Sequence, residues 1–308
     1  MFVVCGEALM DIYVRDSTPT GLLLDARVGG SPFNVAVGLA RLGRPVQFLS
    51  GLSSDVPGER LMQTLRDEGV GTALVARSHA ATTLSVVSVG STGVPSYAFH
   101  GHGAADRQLT IETVPVLPPE TRVLQFGSYA LVVEPVGSAL RHLAARERAT
   151  RLIAYDPNVR LNVEPNLARW LPIVQEMAGL AHIVKVSDED LGLLYPDEAP
   201  AQVAQRWLAG GAHLVVVTRG ATGSEAWGRA GHATAQSLLV DVIDTVGAGD
   251  TFQAAMLTWL DEHGALTPEQ LDGLSVHELS AMLRFAARAA SITCSRRGAD
   301  MPRREELT

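Results

Sequence analysis

Apolar residues fall in short blocks along this chain, and the spacing inside each block predicts an element. The run over 2–10 is nearly unbroken and predicts a buried strand, with Asp11 directly at its C-terminal end. Residues 12–28 are mixed and irregular, with room for one or two strands. After Gly29 and Gly30, Val35, Leu39 and Leu42 recur at helical spacing, with Asn34 placed as N-cap and Gly43 as the stop. A strand over 46–50 and a helix over about 57–68, closed by Gly69, come next. Residues 83–89 and 95–100 flank a turn-forming Gly90-Ser91-Thr92-Gly93, which predicts a hairpin with Tyr97 and Phe99 on one face.

From residue 122 the pattern alternates: strand 122–126, helix 134–148, strand 151–155, then strand 183–186, helix 200–209 and strand 213–218. Repeated alternation at this spacing means a mostly parallel sheet covered on both faces, a three-layer α/β/α architecture. Residues 224–240 read as strands of an antiparallel edge, and 240–252 as a strand, a tight turn and a helix start. That helix keeps Phe252, Ala255, Met256, Trp259 and Leu260 on one face, and a last helix spans about 277–293. The hairpin near 83–100 has no helix partner close by, so it needs strands beside it, and part of 12–28 supplies them.

Composition changes this picture mainly by exclusion. With 308 residues, 46% hydrophobic and 19% charged, the chain is an ordinary globular α/β protein. A net charge of -8 without a basic stripe argues against nucleic acid as partner. Cys5 and Cys294 lie far apart in apolar segments and read as reduced thiols. The N-terminus has no basic region, and no apolar run reaches the roughly 20 residues of a membrane span, so the expected location is the cytoplasm. Lys185 is the only lysine and follows no glycine-rich loop, which excludes a P-loop. Nucleotide chemistry is then left to backbone amides, arginines and a metal.

The run Gly247-Ala248-Gly249-Asp250 carries the candidate chemistry. Its glycines leave room for a ligand against the backbone, and the N–H groups of the following helix face an anion. A carboxylate in that first turn would repel a resting phosphate unless its task is to take a proton nearby. The combination suits phosphoryl transfer to a hydroxyl. On these residues alone, Asp250 as a helix cap between two turn glycines stays open.

The full run Asp244-Thr245, Gly247-Ala248-Gly249-Asp250-Thr251-Phe252 resembles the second signature of the ribokinase-like (PfkB-type) carbohydrate kinases. The run from Gly29 to Gly43 resembles the first, in its fructokinase form, and so does the element from Gly103 to Arg107. The resemblance implies one kinase domain over 1–308, with lid strands from about 12–28 and 81–104. It implies Asp250 as catalytic base and Gly247, Ala248 and Gly249 as anion hole. Asp11, Gly29, Gly30 and Asn34 would meet the sugar, with Asn158 and Arg160 beside it and Arg107 near the lid. Thr218, Gly220 and Gly223 would line ATP, with Arg219 as a positive charge.

The family's usual Asn and Glu near magnesium are replaced here by Ser187 and Asp190, so Asp190 keeps the carboxylate. The Asp244 region is implied for a cation, K+ among the candidates. The activity implied is ATP-dependent phosphorylation of a sugar, fructose first, with 2-keto-3-deoxygluconate, ribose or a nucleoside as alternatives. A non-catalytic sugar-binding regulator and a dinucleotide-binding oxidoreductase are the readings from other classes. In the second of these, the third glycine of the fingerprint would fall on Phe252. An exposed lid edge would allow a homodimer.

Overall fold

The computed structural model describes residues 1–89 and 95–307 of the chain; the turn expected at 90–93 lies outside them, as does the side chain of Tyr97. The first half runs β1 (Phe2–Cys5), β2 (Leu9–Thr18), β3 (Gly21–Gly29), α1 (Ser31–Arg41), β4 (Val46–Ser53), α2 (Val56–Asp67), β5 (Val75–Ser78), β6 (Thr83–Val89) and β7 (Pro95–His100). The middle holds β8 (Val123–Gly127), α3 (Val136–Glu147), β9 (Leu152–Asp156), α4 (Leu167–Leu180), β10 (Ile183–Ser187), α5 (Asp188–Leu194) and α6 (Pro200–Ala209). The last part holds β11 (Leu214–Thr218), β12 (Ser224–Gly228), β13 (Gly231–Ala235), α7 (Ala248–Glu262), α8 (Pro268–Asp272) and α9 (Val276–Cys294).

Nine strands form one sheet in the order β13-β12-β11-β10-β9-β8-β1-β4-β5, parallel except for β12 and β13. Helices α1, α7 and α9 cover one face and α3, α4 and α6 the other, each over its own apolar core. This is the three-layer architecture the strand–helix alternation predicts. A second sheet, β3-β2-β6-β7, stands apart as the lid. Its edge strand β3 exposes Leu22, Leu23 and Leu24. Both cysteines are free thiols. No helix among the described residues is long and apolar enough to cross a membrane.

Three local expectations change. The single strand over 2–10 breaks at Gly6, which takes φ 146° where a Cβ would stand 2.4 Å from Pro32. β1 stays in the main sheet while β2 crosses into the lid, so Asp11 stands on a lid strand. Asn34 is not the N-cap: α1 begins at Ser31 with Pro32 in its first turn, because the fixed φ of proline suits that place. Residues 240–243 form no strand. Among the described residues no strand pairs with them, and Val242 and Ile243 stay exposed.

Candidate active site

Side-chain alternation along β8–β11 builds the floor of the site. Val123, Leu152, Ile183 and Leu214 face the α1/α7/α9 core. Two or four residues further on the same face come Gln125, Asp156, Lys185 and Thr218, so the face turns polar at the C-terminal ends of the strands. That edge is where open α/β sheets bind ligands. The start of α7 lies over it: Gln253 donates to Gln125 at 2.6 Å, and a Cβ at Gly249 would stand 3.2 Å from the Lys185 ammonium.

Gly247 makes the turn into α7 with φ 78°, where a Cβ would also strike Ala299 at 2.5 Å. Intramolecular bonds take up the N–H groups of Ala248, to Thr245 O at 3.2 Å, and of Thr251, to Gly247 O at 2.8 Å. Among the described residues no acceptor is bonded to the N–H of Gly249 or Asp250, and Gly249 is exposed. These are unsatisfied first-turn donors of the kind that bind anions.

Asp250 is buried and accepts two hydrogen bonds, from Ser31 Oγ at 2.6 Å and Asn34 Nδ2 at 2.8 Å. Burial raises its pKa; those two bonds and the charge of Lys185 oppose the rise, and Asp156 adds to it. Asn34 thus stands beside Asp250, to which it gives one of its two side-chain N–H donors. Ser31, which sequence reasoning passed over, holds the other oxygen.

Asp11 sits on β2 facing the body. Burial raises its pKa, against a Ser85 hydrogen bond and the Arg160 charge. A Cβ at Gly29 would stand 2.4 Å from Asp11 Oδ2, and one at Gly30 2.8 Å from Glu7 O, so the glycine pair lets the end of β3 pack closely against Asp11 and the segment before β2. Asp11, Gly29 and Asn34 line one cavity of about 220 Å³, together with Arg27 and Arg297. Asn158 has φ 42° and a buried Nδ2 without a partner. Arg160 donates to Val159 O, and its charge is felt by Glu7, Asp11 and Asp190. Arg107 packs over the Tyr129 ring at 5.3 Å and against Gly101, at the return from lid to body, rather than at this cavity.

On the other side, Thr218 ends β11 opposite Ser187 and Ser224. Gly220 has φ 48° and open space around it, and Gly223 has φ 110° where a Cβ would meet Ala235 O at 2.2 Å. Arg219 is tied to Glu225 at 2.7 Å, so its charge is already matched. Ser187 caps α5, accepting from Asp190 N at 3.0 Å, and Asp190 Oδ1 accepts from Val159 N at 3.1 Å. Both oxygens of Asp244 accept backbone N–H groups, from Val246 and Gly298, so its side chain ties two loops together.

A divalent cation can be tested against this arrangement. Burial and the neighbouring Asp156 charge lift Asp190 to about 6, and Asp156 Oδ1 is buried without a partner. Two crowded carboxylates fit a hard cation that takes its other ligands from phosphate and water. No group of three or more His, Cys, Asp or Glu among the described residues is set to hold a metal by itself.

Comparison with known proteins identifies the family. Residues 1–306 match the pfkB family carbohydrate kinase profile. A fructokinase from Rhizobium leguminosarum bv. trifolii is 36% identical over 279 residues, covering 91% of this chain and 85% of the relative. The crystal structure of a fructokinase from Xylella fastidiosa with bound ATP superposes with a TM-score of 0.86 at 28% identity, covering 99% of this chain and 96% of that one. A fructokinase from Vibrio cholerae O395 in a fructose-, ADP- and calcium-bound form gives 0.81 at 26% identity, covering 97% and 94%. The family profile, the sequence identity and the shared fold place the chain in the pfkB family of carbohydrate kinases, as a phosphotransferase acting on a sugar.

Proposed function

We propose that the protein is a fructokinase, transferring the γ-phosphoryl of ATP to a primary hydroxyl of fructose. The observation that carries this reading is Asp250: a buried carboxylate, held by Ser31 and Asn34, beside the unbonded N–H groups of Gly249 and Asp250. The sugar would lie under the lid against Asp11, Gly29 and Asn34, which line the cavity, with Gly30, Asn158 and Arg160 as its further contacts. As the hydroxyl oxygen forms its bond to the γ-phosphorus, Asp250 takes the hydroxyl proton and the bond from that phosphorus to the bridging oxygen breaks, releasing ADP. The Gly247–Gly249 turn holds the phosphoryl, and Thr218, Gly220 and Gly223 lie along the rest of the nucleotide. Magnesium, held through Asp190 and the free oxygen of Asp156, would spread the phosphate charge. A monovalent cation would be held near Asp244 by the backbone carbonyls of the loops its side chain ties together. Lid closure excludes water and limits ATP hydrolysis. The exposed leucines of edge strand β3 offer a surface for a lid-to-lid homodimer, for which light scattering would give twice the chain mass of 32.7 kDa.

One observation favours a second acceptor. Arg297 lines the cavity and is exposed, and no ion-pair partner for it is found among the described residues, which would suit an acidic keto-sugar such as 2-keto-3-deoxygluconate. The test is coupled ADP release with Mg-ATP against fructose, 2-keto-3-deoxygluconate and ribose, for the wild type and Asp250→Ala. Fast turnover on fructose that the variant loses while still binding sugar supports the reading. Turnover on another sugar moves only the acceptor. A variant that keeps wild-type turnover removes Asp250 as base.

A further inference from the structure

Lys185 is the one charged group on the floor of the site for which the mechanism above has no use. It sits mid-sheet on β10, and its side chain is 5% exposed. Every other basic side chain among the 25 Lys and Arg residues is an arginine. A buried cation needs more than one partner to offset its lost hydration. Here the ammonium has one acceptor, Asp156 Oδ2 at 2.7 Å, and among the described residues none for its other two N–H donors. Asp156 in turn leaves Oδ1 buried and unpartnered. The pair is thus incomplete on both sides, which a purely structural ion pair would not favour.

What the ammonium faces explains the gap. A Cβ on Gly249 would approach Nζ to 3.2 Å, so glycine there lets the cation stand directly beside the turn with the free N–H groups. A guanidinium is broader and planar and would not fit the same gap, whereas a compact ammonium on a flexible stem does. The geometry points to Lys185 as a catalytic residue that donates to the γ-phosphoryl seated at Gly249, parked on Asp156 until that phosphoryl arrives. This rests on the kinase reading of the site. Its two free donors point where negative charge spreads in transfer, and the cation stays dry before and after.

Lys185→Met keeps the length and removes the charge. We expect kcat to fall on the order of 10²-fold or more, with the KM for sugar within a few-fold and the melting curve still cooperative. The readout specific to contact is ADP binding with and without beryllium fluoride, which stands in for the γ-phosphoryl. Wild type should bind ADP more tightly with the fluoride present, and Lys185→Met should lose that gain while its affinity for ADP alone is kept. A structural role would shift both affinities alike and overturn the proposal, as would unchanged kcat in the folded variant. Should Lys185→Met not fold, the double variant Lys185→Met/Asp156→Asn, free of the stranded carboxylate, is put through the same ADP and fluoride comparison. A retained fluoride gain there also overturns it. If wild type releases no ADP with any of the sugars, the kinase reading itself falls; if it turns over and Lys185→Met matches it, only the lysine's role does.

Discussion

The two faces of β8–β11 start alike and end differently. Toward α3, α4 and α6 the strands stay apolar to their tips, through Leu124 and Phe126, Ile153 and Tyr155, Val184 and Val186, Val215 and Val217. Toward α7 each opens with Val, Leu or Ile and closes with Gln125, Asp156, Lys185 or Thr218. Adjacent residues on one strand therefore have separate tasks: one holds layers together, the next does chemistry. Polar groups are tolerated on the second face because the helix above begins there, with free N–H groups and a glycine turn instead of a packed side-chain surface.

The difference should survive a crossed pair of substitutions, which gives the largest effects. Asp250→Ala is expected to lower kcat on the order of 10²–10⁴-fold, because the base is gone, while removing a buried charge limits the loss of stability. Leu124→Ala, on the fully buried opposite face, should cost roughly 2–5 kcal/mol in denaturant unfolding and leave kcat per folded molecule near wild type. If Leu124→Ala lowered kcat as much as Asp250→Ala, the division between the faces would be wrong.

A smaller effect separates the paired charges at this edge from a buried carboxyl that is only partly matched. Glu7 lies just beyond β1, fully buried, with Oε2 unpartnered; burial lifts it to about 8, only partly opposed by Ser128 and Arg160. A carboxyl raised this far holds its proton in the folded protein and releases it in the unfolded chain. Its contribution to stability is therefore complete below the ordinary carboxylate range and is lost as pH rises to about 8. Glu7→Gln should match wild type near pH 4 and be more stable by a few kcal/mol above pH 8, as read from urea midpoints. An equal difference at both pH values would show that Glu7 is not held protonated.

How far the sequence reached follows from the same geometry. The turn 247–250 and the alternation of strands and helices are written in contiguous residues, so the parallel sheet and the start of α7 were legible. Lys185 was not, because a strand buried on both faces carries no visible alternation, and the lysine was sought in a loop. Arg219 looked like a free charge because its partner Glu225 lies six residues on, across a strand pairing. Asn34 passed for a cap because its real partner, Asp250, is 216 residues away. The stretch 240–243 imitates a strand in its apolar content, yet a strand needs a neighbour and none of the described strands pairs with it.

The smallest expected effect bears on which group on the polar face titrates. Asp250 must be ionised to take a proton, and burial holds its pKa above the usual carboxylate range. Activity should therefore fall tenfold per pH unit on the acid side of that raised value. Ser31 Oγ, at 2.6 Å, bonds the ionised form and pulls the value down. Ser31→Ala removes this bond and leaves Asn34 in place, so the acid limb of kcat should move up by about one pH unit. At alkaline pH, where Asp250 is ionised in both proteins, kcat should be close to wild type. Asp190, lifted to about 6 by burial and Asp156, does not touch Ser31, so an acid limb set by Asp190 would stay where it was. A limb that moves with Ser31 therefore belongs to Asp250, and one that does not move assigns the titration to Asp190.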